Sequence, residues 1–172
     1  MKIRNFACWL LGAWMAGSLF MIMVATQNFA SVDRLLAAPA AAGPRIEQMG
    51  RTEARTFLRY QVSEQNRFYF ETWEKIQLAM GVVLLAALWT NLPDRRIFVI
   101  VAAAMFTLLL LERFYLTPEI VRIGRLIDFV PQAVSSPERD TFWKFHNTYS
   151  AAELLKLGLG FFLSAKIGLG AK

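Results

Sequence analysis

Apolar residues fall along this chain in long runs, and the runs set its organisation. The first, residues 6–24, carries no charge and approaches the roughly 20 residues with which a helix crosses about 30 Å of hydrocarbon. A second covers 76–92, and Pro93-Asp94-Arg95-Arg96 closes it with a turn so short that it can only reverse the chain. The third, 97–116, is therefore an antiparallel neighbour of the second. It is apolar as far as Leu111 and carries Glu112 and Arg113 near its end, where long side chains snorkel to water. The fourth, 145–163, is the least apolar, because His146, Glu153 and Lys156 fall within or beside it. This pattern predicts four transmembrane helices.

The segments between the runs also read as helical. Residues 37–44 (AAPAAAGP) form a connector, since their two prolines interrupt any helix. From 45 to 75 charges recur every few residues among Phe57, Leu58, Tyr60, Phe68, Phe70 and Trp73, with Gly50 the only glycine. An amphipathic helix outside the hydrocarbon, running straight into the second span, is expected there. Thr117-Pro118-Glu119 reads as an N-cap threonine, a proline at the first helical position and an acid in the first turn. A new or kinked helix over 118–130, lying at the interface, follows from it. The predicted fold class is all-α: an integral membrane four-helix bundle with amphipathic extramembrane helical segments, in a single membrane domain of residues 1–172.

Composition supports this class, with 56% hydrophobic residues and a mean hydropathy of +0.38. Lysine and arginine outnumber aspartate and glutamate 19 to 13, a formal net charge of +6. The basic residues punctuate the apolar runs and form no stripe, so they face lipid headgroups and nucleic acid is not an expected partner. Lys2, Arg4, Arg95, Arg96, Lys166 and Lys172 occupy the termini and the short second loop. The positive-inside rule then makes both termini cytoplasmic. Lys2 and Arg4 ahead of the first run also fit a secretory signal, and Ala40-Ala41-Ala42 offers small residues for cleavage. That site lies too far downstream of the run, so a retained anchor is expected. Cys8 is the single cysteine, which excludes an intramolecular disulfide, a cysteine zinc site and an iron–sulfur cluster.

The residues most suggestive of chemistry are His146, Tyr149, Ser150, Glu153 and Lys156, whose three- and four-residue spacings set a polar stripe along the fourth helix. Intramembrane ionisable groups usually face a bundle interior or a water-filled cavity, so one reading is a proton relay, ion path or ligand pocket. The plainer reading is a local Glu153–Lys156 pair, with His146 and Tyr149 in the headgroup zone. His146 is the only histidine; no cofactor is expected, although one axial bond to a haem or chlorophyll is compatible with it. The cluster from Glu64 to Glu74 (EQNRFYFETWE) reads as an aromatic belt or, alternatively, a recognition surface. Gly12 with Ala16, and Ala13 with Gly17, are two small-xxx-small pairs that allow another helix to approach closely. No nucleotide loop, nucleophile elbow, His-Glu-x-x-His or acidic metal loop is present, so no enzyme is expected.

Three stretches carry a resemblance: GAWMAGSLFMIMVATQNFASVDRLL at the first span, ERFYLTPEI after the third and FWKFHNTYSAAELLKLGLGFFL at the fourth. In these the chain resembles the bacterial relatives of transmembrane protein 205, over most of its length apart from residues 45–66. The resemblance implies a four-helix bundle with no settled biochemical activity, in a bacterial cytoplasmic membrane. It makes His146 the family's histidine, while Glu153 stands where members tend to carry an asparagine. The expected function is that of a non-catalytic accessory or assembly subunit, with membrane lipids and other membrane subunits as partners. Its rivals are a small oligomeric transporter or channel using the polar stripe, and a haem- or chlorophyll-binding subunit using His146.

Overall fold

A computed structural model describes residues 2–37, 42–89, 95–131 and 134–169. These residues form helices α1 (Lys2–Ala37), α2 (Gly43–Met49), α3 (Arg51–Leu88), α4 (Arg95–Leu111), α5 (Thr117–Ile127) and α6 (Pro137–Leu169). No strand occurs among them. A π-helical turn, Glu112–Leu116, joins α4 to α5. Two stretches, Ile3–Ala37 and Arg96–Ile127, are long and apolar enough to cross a membrane.

The 36 residues of α1 span about 54 Å at 1.5 Å per residue, so the helix runs well beyond its apolar first half. Half of the AAPAAAGP connector, residues 38–41, lies outside the described residues, but Pro44 sits in the first turn of α2, where a missing N–H costs no hydrogen bond. Gly50, at φ 86°, separates α2 from α3, a conformation favourable to glycine because it has no Cβ. Beyond it α3 runs without a break through the charged segment and into the second apolar run as far as Leu88. The short turn expected at Pro93 and Asp94 lies outside the described residues.

The exit from the third apolar run differs from expectation. Thr117 has helical backbone angles and caps nothing; its hydroxyl donates instead to the Glu74 carboxylate. The chain continues from α4 into α5 because the wide turn makes room for Pro118, whose ring would otherwise press on the carbonyl of Phe114.

The four long helices pack in the cyclic order α1, α3, α4, α6, each beside two others, and α5 lies against α6. Neighbours run antiparallel: Arg4 donates to the Ile167 carbonyl, Asn28 to Asn66, and Gly81 abuts Phe106. At the end holding both chain termini, Leu11, Trp14, Leu84, Leu88, Met105, Leu109, Leu163 and Ile167 fill the centre as one apolar core. A smaller cluster of Val32, Leu36, Ala54 and Val62 closes the opposite end of α1 and α3.

Candidate functional site

Between these two apolar clusters the bundle buries charge. Tyr149, Glu153 and Lys156 recur at helical spacing on α6 and all point inward. Glu74 and Gln77 meet them from α3, Glu112 from the π turn, Thr117 from α5 and Ser18 from α1. Lys156 is 1% exposed, and Glu74, Gln77 and Glu112 are wholly buried.

Lys156 organises the cluster. Its ammonium donates to Gln77 Oε1 at 2.9 Å, to Glu153 Oε1 at 2.9 Å and to Glu112 Oε2. All three of its donors are thereby used. Gln77 Nε2 donates to Glu153 Oε1 at 3.4 Å, and the Ser18 hydroxyl to Glu153 Oε2 at the same distance. One turn further from the termini, Glu74 accepts from Thr117 and lies 3.7 Å from the Arg113 guanidinium. Three buried oxygens of the cluster make no hydrogen bond: Oε2 of Glu74, which has only the Arg113 guanidinium at 3.7 Å, Oε1 of Glu112, and the Tyr149 hydroxyl, whose ring stands edge-on to Phe70.

Nearer α5 a second set of polar contacts ties the helices together. Arg67 grips Asp128 with two hydrogen bonds of 2.7 and 2.9 Å and also reaches Glu64, while Asn28 donates to Asn66 at 2.7 Å. The guanidinium fork suits this bidentate geometry.

Of the stripe expected on α6, Tyr149, Glu153 and Lys156 converge, and Ser150 does not: its hydroxyl donates back to the His146 carbonyl. His146 is exposed, stacked on Phe142 at 5.8 Å and edge-on to Trp143 at 5.3 Å, away from the cluster. Among the four small residues of α1, Gly17 lies against the Trp73 ring, Ala13 is partly buried, Gly12 borders open space and Ala16 is exposed. From the 64–74 segment Asn66 and Glu74 turn into the bundle, whereas Phe68 faces outward.

Four members of the cluster, Ser18, Glu74, Gln77 and Thr117, were not singled out as site residues from sequence. A fifth, Glu112, is corrected: it does not snorkel, because the helix continues past it through the π turn and Lys156 holds it at the centre. Its place at the close of an uninterrupted apolar run was the available signal. The Lys156 ammonium occupies the position between the acids, and among the described residues no three His, Cys, Asp or Glu side chains gather as metal ligands.

Comparison with known proteins adds no relative: no family model, no curated protein and no solved structure matches the chain. What fold and site define is a class, a helical bundle with ionisable groups inside and large apolar side chains outside.

Proposed function

We propose that this chain is an integral membrane protein whose helices α1, α3, α4 and α6 all cross the bilayer, with both termini cytoplasmic. We further propose that it catalyses no reaction and works as a subunit packed against other membrane proteins. The observation that carries the reading is inverted polarity. Glu74, Gln77, Glu112, Glu153 and Lys156 are buried, while Trp9, Phe20, Val82, Ile100, Phe114, Leu154 and Phe161 are exposed on the four long helices and the π turn. Water penalises both halves of that arrangement. Hydrocarbon favours the apolar exterior and forces charge into the bundle interior.

The subunit role is supported by the outer face of α1, where Gly12 borders open space and Ala16 is exposed. Small residues let a further helix approach there. Reporter fusions after Gly43 and after Ser136 should read as non-cytoplasmic and one after Pro93 as cytoplasmic; any other pattern ends the reading. Native mass in mild detergent tests the subunit role, with foreign subunits expected.

A transporter or channel is favoured by one feature, the excess of acids over cations in the cluster. Against a through-path within one chain stand the buried apolar side chains between cluster and termini, from Leu11 and Trp14 to Leu163. A homo-oligomer in place of foreign subunits would favour the transporter reading.

A further inference from the structure

We infer that the Glu112–Lys156–Glu153 cluster binds one exchangeable proton, which enters and leaves only from the side of the bundle where α5 lies, away from the chain termini. The sidedness rests on the proposed membrane reading; the proton itself does not.

Charge counting comes first. The groups facing the cluster are Ser18 from α1, Glu74 and Gln77 from α3, Glu112 and Arg113 from the π turn, Thr117 from α5, and Tyr149, Glu153 and Lys156 from α6. Three carboxylates thus meet one buried ammonium and one guanidinium at the rim. Arg113, a quarter exposed, serves Glu74. Lys156 is left between two carboxylates and neutralises one of them. In a low-dielectric interior the second negative charge needs its own partner.

Vacant acceptors mark where the proton goes. With every Lys156 donor in use, Glu112 Oε1 has no hydrogen bond and Glu153 Oε2 has only the 3.4 Å contact from Ser18. Protonation forms an O–H bond on one of these oxygens, the proton being drawn from water at the bundle surface and returned there on release. A second observation points to the same place: Tyr149, 8% exposed, lies buried beside Glu153 with its hydroxyl unpartnered. A hydroxyl so placed accepts a proton on one side and donates on the other.

The route is one-sided because the polar groups that adjoin the cluster lie in one direction only. One turn towards α5 the cluster meets Tyr149, Glu74, Thr117 and the partly exposed Arg113. In the other direction Met105, Leu109, Leu84, Leu163 and the Trp14 ring close the interior, and the next buried hydroxyl on α6, that of Ser164, lies about two turns from Lys156 and meets no partner.

Infrared spectroscopy of the full chain tests both parts. In detergent micelles a protonated-carboxyl C=O band should be present, shift in deuterated water and vanish in the Glu112→Gln, Glu153→Gln double variant. Absence of the band in the parent, or its survival in the double variant, overturns the proton site whatever the topology. In phosphatidylcholine vesicles of uniform orientation, deuteration of the band should follow deuterated water added on the α5 side and not on the terminal side. Equal rates from both sides overturn the sidedness, and failure of the reporter fusions would separately identify the membrane reading as the fault. Tyr149→Phe, which removes only the hydroxyl beside Glu153, should retain the band and slow its exchange by about tenfold or more; unchanged exchange overturns the route.

Discussion

Lys156→Met is the sharpest perturbation of the bundle, because it removes the buried cation of the cluster and leaves its partners in place. Lys156 holds Glu112, Glu153 and Gln77 together from the bundle centre. Removing one member of a buried ion pair costs about 3–5 kcal/mol, since the remaining charge is uncompensated. The loss has a ceiling: binding a further proton at pH 7 to a carboxylate that ordinarily titrates near 4.3 costs about 4 kcal/mol, so the cluster need never suffer more per charge. The expected destabilisation at neutral pH is therefore about 3–4 kcal/mol. Its pH dependence has a definite sign. The folded variant then binds one more proton than the folded parent, so its deficit against the parent shrinks as pH falls, by about 1.4 kcal/mol per pH unit, down towards the ordinary carboxyl range. Cys8, the single cysteine, is half-buried against α6, and its modification by a fluorogenic thiol reagent reports unfolding without any added probe. Adding Glu112→Gln and Glu153→Gln to Lys156→Met should restore most of the loss, because no charge is then left alone. A single variant as stable as the parent at pH 7, or a triple variant no better than the single, would refute the reasoning.

Further outcomes follow from individual contacts. A Cβ on Gly17 would fall 2.1 Å from the Trp73 ring, so Gly17→Leu should lower stability by about 1–3 kcal/mol in thermal unfolding; Gly12→Leu, with nothing within 4 Å, should leave the isolated chain unchanged and disturb only assembly with partners. Thr117→Val deprives the buried Glu74 carboxylate of its hydroxyl donor and should cost about 1–3 kcal/mol, visible as a lower melting temperature. Arg67→Ala releases Asp128 and Glu64 together, and amide hydrogen exchange should then rise through α5 and be unaffected near Leu84; uniform protection would show that the clamp does not hold α5.

The long helices were legible because runs of apolar residues need no tertiary information. The α2–α3 break at Gly50 was foreshadowed by its being the only glycine in a charged stretch, although whether it would break the helix depended on its backbone angles. The cluster was half legible. Tyr149, Glu153 and Lys156 declare themselves by spacing on one helix, whereas Glu74, Gln77 and Glu112 acquire meaning only when three helices bring them to one level. Glu112 was misread for a local reason: an acid followed by Arg113 and, soon after, a proline resembles a helix end. The π turn that carries the helix past Pro118 is a tertiary accommodation, and no propensity announces it.

In the proposed orientation, the depth of the cluster ties these features together. Counting from Arg4 on α1, Leu88 on α3, Arg95 on α4 and Leu169 on α6, the cluster residues Ser18, Gln77, Glu112 and Lys156 lie about 17–26 Å from the terminal end at 1.5 Å per residue. Against a hydrocarbon thickness of about 30 Å, that is past the midplane and nearer the face where α5 lies. Such a position lowers the cost of burying charge, since a long side chain such as Arg113 can reach the interface from there. It also fixes which side water approaches from, because every layer of the terminal half must remain apolar to insulate the acids. A polar substitution in that half should therefore act at a distance. Leu109→Asn, wholly buried about one turn from Glu112 on the terminal side, should open proton exchange from the terminal face while leaving the reporter-fusion topology intact. If the exchange stays one-sided in a variant that folds and inserts normally, the apolar layer is not what seals the cluster.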